Sequence, residues 1–169
     1  TLSQLNEVLL QYLRESILGE STDSVPKTIN RRFNTVDGYI QTSNTTIFAR
    51  YPSAMLEIFD LMGDDPDIKG IRASTIRQLR AHLHLIDRRY RADLRNTSLF
   101  MEIMRSPYNL SRILKWMSEY GILGAYLPEW DKITGLMQHD LFHRYTVDAH
   151  TLILVKHLRM FHQGLRSDD

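Results

Sequence analysis

The stretch that decides the fold runs from Phe33 to Tyr51 and reads FNTVDGYIQTSNTTIFARY. It is rich in β-branched and aromatic residues, and the polar run Thr42-Ser43-Asn44 interrupts it. This pattern is typical of two strands joined by a turn. We therefore predict one small β-hairpin at about 33–51, with strands at about 33–41 and 46–51. Because an isolated hairpin is only marginally stable, we expect it to pack on helices or to join a sheet.

The segments on both sides of the hairpin predict helices. Their apolar residues recur every three or four positions, and Pro, Ser and Thr stand where helices can begin, with Gly where they can end. The predicted fold is therefore mainly α, a helical bundle-like array with one small β-hairpin. The predicted helices lie at about 2–18, 52–62, 74–87, 97–104, 106–121, 122–127 and 147–162.

The composition narrows the class of protein. The 169 residues are 43% hydrophobic and 24% charged, which is typical of a globular domain and argues against disorder. The absence of Cys excludes disulfides and thiolate metal sites. We expect no signal peptide, and no apolar run reaches the roughly 18 residues that span a bilayer. We expect a cytoplasmic protein without a membrane partner, and the missing initiator Met suggests a piece of a longer one.

The positive charge is concentrated in the middle of the chain. Residues 69–95, the basic block, carry eight Lys or Arg against two Asp, although the net charge of the whole chain is only +1. Such a block is either a solvated helix face or a surface for an acidic partner. It contains Tyr90 as its single aromatic residue, which disfavours binding of single-stranded nucleic acid. The cations are Lys69, Arg72, Arg77, Arg80, Arg88, Arg89, Arg91 and Arg95.

Candidate metal ligands cluster near the carboxyl end. His139 and His143 have the i, i+4 spacing of helical ligands, and His139-Asp140 spells the dyad of the HD phosphohydrolases. His150 lies one turn into the last predicted helix, with Ile153 and Leu154 at i+3 and i+4, so we expect it on the inward side. A buried imidazole needs an acceptor or a metal. The residues alone leave both open. The carboxylates of Gly63-Asp64-Asp65-Pro66-Asp67 fit a solvated turn better than a metal site.

Two long runs resemble a known family. They are Leu123-Gly124-Ala125-Tyr126-Leu127-Pro128-Glu129-Trp130 and Tyr145-Thr146-Val147-Asp148-Ala149-His150-Thr151-Leu152, with 135–143 between them. Together with Thr1–Asn6 and Ser74–Arg80, they resemble the bifunctional PII uridylyltransferase/uridylyl-removing enzymes, the GlnD family. The resemblance implies that 1–135 is a helical region following a nucleotidyltransferase domain, and that 136–169 begins an HD domain.

The resemblance also implies site residues and partners. His150 matches the first metal ligand of the HD domain, whereas His139-Asp140 belongs to the approach segment and is not the dyad. The implied cofactor of the full-length enzyme is Mg²⁺ or Mn²⁺, with none expected in this fragment because one His cannot hold it. PII is the implied protein partner, and UTP and glutamine act on parts outside this fragment.

Two functional hypotheses follow from the sequence. In the first, the chain links the transferase and hydrolase activities of a PII-modifying enzyme and is inactive alone, with no complete catalytic or cofactor-binding site. In the alternative, it is a non-catalytic helical adaptor that binds an acidic protein or nucleic acid through the basic block.

Overall fold

The computed structural model describes residues 25–106, 108–134 and 146–162. In this part of the chain the strands are β1 (Lys27–Thr28), β2 (Phe33–Val36), β3 (Tyr39–Thr42) and β4 (Gly70–Ile71). The helices are α1 (Ile47–Arg50), α2 (Ala54–Asp64), α3 (Ala73–Ala81), α4 (Arg88–Ala92), α5 (Leu94–Arg105), α6 (Leu110–Glu119), α7 (Ile122–Tyr126), α8 (Pro128–Ile133) and α9 (Val147–His162). A 3₁₀ turn spans Leu83–Leu85.

The mainly α fold with one small sheet is confirmed. The predicted helix at 2–18 lies outside the described residues. None of the helices in the described ranges combines the length and apolarity needed to cross a membrane.

The hairpin is present, but its turn was predicted in the wrong place. The chain reverses at Asp37-Gly38, with φ angles of 56° and 84°, so that Val36 pairs with Tyr39. Two consecutive positive φ angles are the mark of the type I′ turn, which Asp-Gly sequences favour. The second predicted strand, 46–51, is wrong because residues 47–50 form α1.

Side-chain hydrogen bonds explain why a helix begins where a strand was predicted. The Asn44 side-chain oxygen accepts from the backbone N–H of Thr46 at 3.0 Å and from its hydroxyl at 2.8 Å. This local turn directs the chain into α1 rather than into a strand. Ile47 and Phe48 of α1 are then buried, so the β-branched and aromatic character of the segment reflects burial.

The hairpin is the centre of a larger sheet. The strand order is β1-β2-β3-β4, with β1 and β2 antiparallel and β4 parallel to β3. In the parallel pair, Tyr39 is opposite Gly70 and Ile40 is opposite Ile71. The hairpin therefore does not stand alone, and α1 and α2 lie in the connection between the two parallel strands.

Helix α2 forms the centre of the apolar core. Met55, Leu56, Ile58 and Phe59 are fully buried, and the helix contacts both α5 and α6. Near its end, Gly63 lies against Ser106, whose hydroxyl oxygen is 2.9 Å from the Gly63 carbonyl oxygen and 2.7 Å from that of Tyr108. A Cβ added at Gly63 would lie 2.6 Å from that hydroxyl oxygen. The glycine therefore permits a close approach between α2 and the end of α5.

The single helix predicted at 74–87 is wrong. Helix α3 ends at Ala81, and the 3₁₀ turn separates it from α4. A ring nitrogen of His82 lies 2.8 Å from the Gln78 carbonyl oxygen, at the end of α3. Asp87 and Asp93 then cap α4 and α5, accepting from Tyr90 N–H and Arg95 N–H at 2.8 Å each. Helix α5 therefore begins earlier than the predicted start at 97.

Candidate functional site

Helix α9, which carries the predicted metal ligand, is held to the body by two kinds of contact. Leu152 and Val155 pack against the apolar core, where α9 meets α6 and α8. The Arg159 guanidinium donates to the Met104 carbonyl at 3.1 Å and also contacts the Ser106 carbonyl. A cation is favourable there because the carboxyl end of a helix carries partial negative charge. These contacts fix the rotation of α9 about its axis.

His150 lies on the open side of α9. Its backbone N–H donates to the Thr146 carbonyl at 2.9 Å, which places it in the first turn, and its side chain is exposed. Ile153, Leu154 and Leu158 are likewise 37%, 54% and 59% exposed. The prediction that this side faces inward is therefore wrong for the chain as the structure shows it. The apolar side chains of α9 lie on all sides of the helix. Their spacing along the sequence therefore did not identify the side that packs against the core.

The described residues do not by themselves fit a metal ion. Within 25–106, 108–134 and 146–162, no group of three or more His, Asp or Glu side chains could hold one. His150 would supply a single nitrogen, and a divalent metal needs several ligands. His139, Asp140 and His143 lie outside the described residues. The assignment of His150 as a ligand therefore stays a prediction.

The basic block is not one uniform surface. Arg91, which the sequence placed with the exposed cations, is half-buried and donates to the carbonyls of Ile86 and Ala125 at 3.1 Å each. It thereby joins α4 to α7. The prediction that Arg91 belongs to a solvated face is wrong, because its guanidinium donates to two main-chain carbonyls, one 5 and one 34 residues away.

Two further cations of the block are used by the hairpin. Arg72 forms an ion pair with Asp37 at 3.6 Å, and the Lys69 ammonium donates to the Asp37 carbonyl at 3.3 Å. Both contacts hold the Asp37-Gly38 turn against the segment around β4. The remaining cations of the block are exposed, namely Arg77, Arg80, Arg88, Arg89 and Arg95.

Acidic groups gather on the outer side of α2 and α5. Burial, together with the charges of Asp64, Glu102 and Glu57, raises the pKa of Asp60 to about 6 from its ordinary 3.8. In the turn that follows α2, Asp65 accepts from the Asp67 backbone N–H at 2.9 Å. That contact is the ordinary chemistry of a solvated turn.

Glu57, on α2, forms a close ion pair with Arg32. It accepts from the Arg32 guanidinium at 2.7 and 2.8 Å and from the Asn30 amide at 3.0 Å. The hydrogen bond to Glu57 raises the pKa of Arg32 above its usual value. The pair ties the loop before β2 to α2, a contact that spacing along the sequence did not indicate.

A second cationic surface was not identified from the sequence. Between α6 and α9 lies a cleft of about 460 Å³, lined by Arg112 and Lys115 of α6 and by Lys156 and Arg159 of α9. We call it the α6–α9 cleft. Two pairs of cations more than 40 residues apart form no run in the sequence. Only the packing of α9 on α6 brings them together.

Comparison with known proteins identifies the family. The family model described as the uridylyltransferase GlnD third domain matches residues 33–126. The chain belongs to this family. The match begins at β2 and ends with α7, so it takes in most of the sheet and the core around α2.

Curated relatives agree with the family assignment. Bifunctional uridylyltransferase/uridylyl-removing enzymes from Pseudomonas fluorescens and Pseudomonas syringae pv. tomato are each 54% identical to the chain over 159 residues. One from Pseudomonas putida is 53% identical over the same length. Each match covers 94% of this chain but only 18% of the relative. No solved structure matches the chain.

Proposed function

We propose that this chain is the part of a PII-modifying enzyme that links two activities. These are UTP-dependent transfer of UMP to the PII nitrogen-regulatory protein and metal-dependent hydrolysis of UMP from it. The observation that carries the proposal is the family match over 33–126, supported by 54% identity to enzymes named for both activities. In this proposal 1–135 is the helical region after the nucleotidyltransferase domain, and 136–169 begins the HD domain.

The packing of the chain suits a linking role. The sheet and α2 form a core closed by buried apolar residues, and Arg159 fixes α9 onto the carboxyl end of α5. A group on α9 is therefore held at a defined position relative to the core. The open side of α9 exposes the apolar side chains of Leu154 and Leu158. Such an apolar surface suits contact with another segment of the enzyme. His150 lies on that same side.

Cofactors and small molecules belong to the whole enzyme in this proposal. We propose Mg²⁺ or Mn²⁺ as its metal and a cytoplasmic location. UTP and glutamine would act on regions outside this chain. Because the described residues do not fit a metal alone, we assign no catalytic step to them. We expect the isolated 169-residue chain neither to transfer UMP to PII nor to remove it. UMP release from uridylylated PII by the purified chain would contradict this.

The role of His150 is tested in the full-length enzyme. We expect His150→Ala to reduce UMP removal and the stoichiometry of bound metal, while UMP transfer largely survives. The reason is that loss of a ligand weakens metal binding and prevents activation of water. His157→Ala is the matched control, because His157 is also exposed and lies two turns further along α9.

The possible outcomes separate a ligand from a structural residue. Parallel loss of both activities and of the melting temperature in His150→Ala would make His150 structural. Unchanged activities and unchanged metal content would show that the alignment of α9 with the HD domain is wrong.

The adaptor alternative is weakened by the structure of the basic block. Three of its cations, Lys69, Arg72 and Arg91, contact the protein itself. The family match also runs through the whole block. We therefore retain the linking role as the proposed function.

A further inference from the structure

The α6–α9 cleft is a concave surface with a strong excess of positive charge. Arg112, Lys115, Lys156 and Arg159 line it, together with Asn109, Ser111 and two apolar side chains, and neither Asp nor Glu is among its described lining residues. Cations that line one cleft repel one another in part, and an anion bound among them would relieve that repulsion. The charge pattern therefore indicates an anionic ligand.

The cations differ in how far the protein already uses them. Arg159 serves the carbonyls at the end of α5, and Lys115 lies 3.4 Å from the Glu119 carboxylate. The Arg112 guanidinium lies over the Trp116 ring, 5.0 Å from its centroid, which orients the side chain but leaves its charge in place. Lys156 is exposed at the rim. Arg112 and Lys156 are thus the cations best placed to contact a ligand.

The start of α6 adds hydrogen-bond donors to the same cavity. The first hydrogen bond within α6 runs from Ile113 N–H to the Asn109 carbonyl at 3.0 Å, and the Asn109 side chain does not cap the helix. The backbone N–H groups at the first positions of a helix have no acceptor within it. They favour an anion at this end of α6. The inference itself rests on the four cations that line the cleft.

The size of the cleft narrows the ligand class. About 460 Å³ exceeds a single phosphate ion and lies within the roughly 300–1,000 Å³ range of pockets for small molecules. Arg and Lys side chains suit phosphate oxygens, while Leu110 and Met160 offer apolar contact for the rest of a ligand. We propose that the α6–α9 cleft binds a phosphate-bearing small molecule of nucleotide size.

The cleft lies away from the predicted metal ligand. Arg159 follows His150 by nine residues on α9. At roughly 100° per residue, this puts the two side chains on about opposite sides of the helix. A ligand in the cleft would therefore contact α9 on its packed side, where Arg159 holds it to α5. The proposal does not depend on the proposed function, since it concerns different residues.

The test is calorimetric titration of the 169-residue chain at low salt with orthophosphate, UMP, UTP and ATP. We expect the nucleotides to bind and orthophosphate to bind at least about tenfold more weakly, since it fills less of the cleft. Equal affinity for UTP and ATP assigns recognition to the phosphates, and preference for UTP adds recognition of the base. Both results support the proposal.

Matched variants separate the cleft from general charge attraction. Arg112→Gln combined with Lys156→Gln should weaken nucleotide binding about tenfold or more. Arg88→Gln combined with Arg89→Gln removes the same charge from an exposed helix elsewhere and should leave it within about twofold. Equal weakening by both pairs would overturn the proposal, as would absence of nucleotide binding at millimolar concentration. Binding of PII or nucleic acid at the cleft without any nucleotide would also overturn it.

Discussion

Replacing Gly63 by Ala tests how closely α2 approaches the end of α5. Gly63 lies within α2, so the intrinsic preference for Ala in a helix would alone stabilise the chain by about 1 kcal/mol. The new Cβ, however, would lie 2.6 Å from the Ser106 hydroxyl oxygen and 2.9 Å from its Cβ. Ser106 is only 3% exposed, so it cannot move into solvent. The outcome depends on which effect is larger.

The packing cost exceeds the gain in helix propensity. Forcing an extra carbon into a well-packed core costs about 1–3 kcal/mol, and displacing the Ser106 hydroxyl from the Gly63 carbonyl costs about 1 kcal/mol more. We expect a net loss of about 2 kcal/mol in the free energy of unfolding. For a chain of this size, that corresponds to a melting temperature lower by about 4–8 °C.

The measurement is urea and thermal unfolding of the chain and four variants: Gly63→Ala, Ser106→Gly, the double variant and Gly124→Ala. Ser106→Gly removes both atoms that meet the new Cβ, so the double variant Gly63→Ala/Ser106→Gly should recover about 1–2 kcal/mol relative to additivity. Gly124→Ala is the matched control, because its added Cβ would lie 3.1 Å or more from the nearest atoms, which belong to the exposed Asp131 side chain. A rise in melting temperature for Gly63→Ala similar to that of Gly124→Ala would refute the argument.

Three further predictions concern charged groups. Arg91→Gln should lower the free energy of unfolding, measured in urea, by about 1.5–3 kcal/mol, because it leaves two main-chain carbonyls without a charged donor. Arg88→Gln should change the free energy of unfolding by no more than about 0.5 kcal/mol. Equal losses in the two variants would contradict this prediction. Asp60→Asn should stabilise the chain above about pH 6 by up to about 1 kcal/mol, after allowance for solvent screening, and should have little effect below about pH 4. The direction of the effect follows because burial raises the pKa of Asp60 in the folded chain. The stability that the neutral acid contributes is fully present below the pKa that Asp60 has in the unfolded chain, and it is lost as the pH rises through about 6. A gain that persists at low pH would show that charge is not the cause. Glu57→Gln should cost about 1–2 kcal/mol through loss of the bidentate pair with Arg32, and an unchanged unfolding midpoint would show that water replaces the carboxylate.

The sequence predicted the fold class because its strongest signals are local. Apolar spacing gave the long helix α2, and residues typical of helix ends gave α6 and the last helix α9, each within a few residues of its observed bounds. The hairpin was found from its composition, but two competing turn signals stood close together. Asp37-Gly38 proved to be the hairpin turn, and Asn44 began a helix. The two-residue strands β1 and β4 are too short to give any pattern of their own.

Side-chain contacts account for the remaining differences. The helix predicted at 74–87 breaks after Ala81 without a Gly or Pro, where a His82 ring nitrogen lies within hydrogen-bond distance of the Gln78 carbonyl. The sequence contains the residues of this contact but not the tertiary packing that makes it favourable. The same holds for Arg91, whose two acceptors lie in segments that meet only in the folded chain.

In the candidate site, too, local signals could be predicted from the sequence and tertiary contacts could not. The residues of α9 predicted a helix, but its apolar side chains lie on all of its sides. Only tertiary contacts, such as those of Val155 and Arg159, show which side packs against the rest of the protein. The cations of the α6–α9 cleft come from two distant helices. A search of the sequence for runs of charge finds the basic block instead of the cleft. Part of that block forms hydrogen bonds and an ion pair with carbonyls and a carboxylate of the protein itself.

The parallel pairing of β3 with β4 implies an order in which the molecule assembles. Strands β2 and β3 are joined by a two-residue turn and can pair within microseconds. Parallel strands cannot be joined so tightly, and here the connection 43–69, which contains α1 and α2, separates β3 from β4. During refolding, the amides of Lys69 and Arg72, which donate to Gly38 and Ile40, should therefore gain protection from hydrogen exchange later than those within the hairpin. Strand β4 thus joins the sheet after the hairpin has formed, and protection of these two amides records when it does.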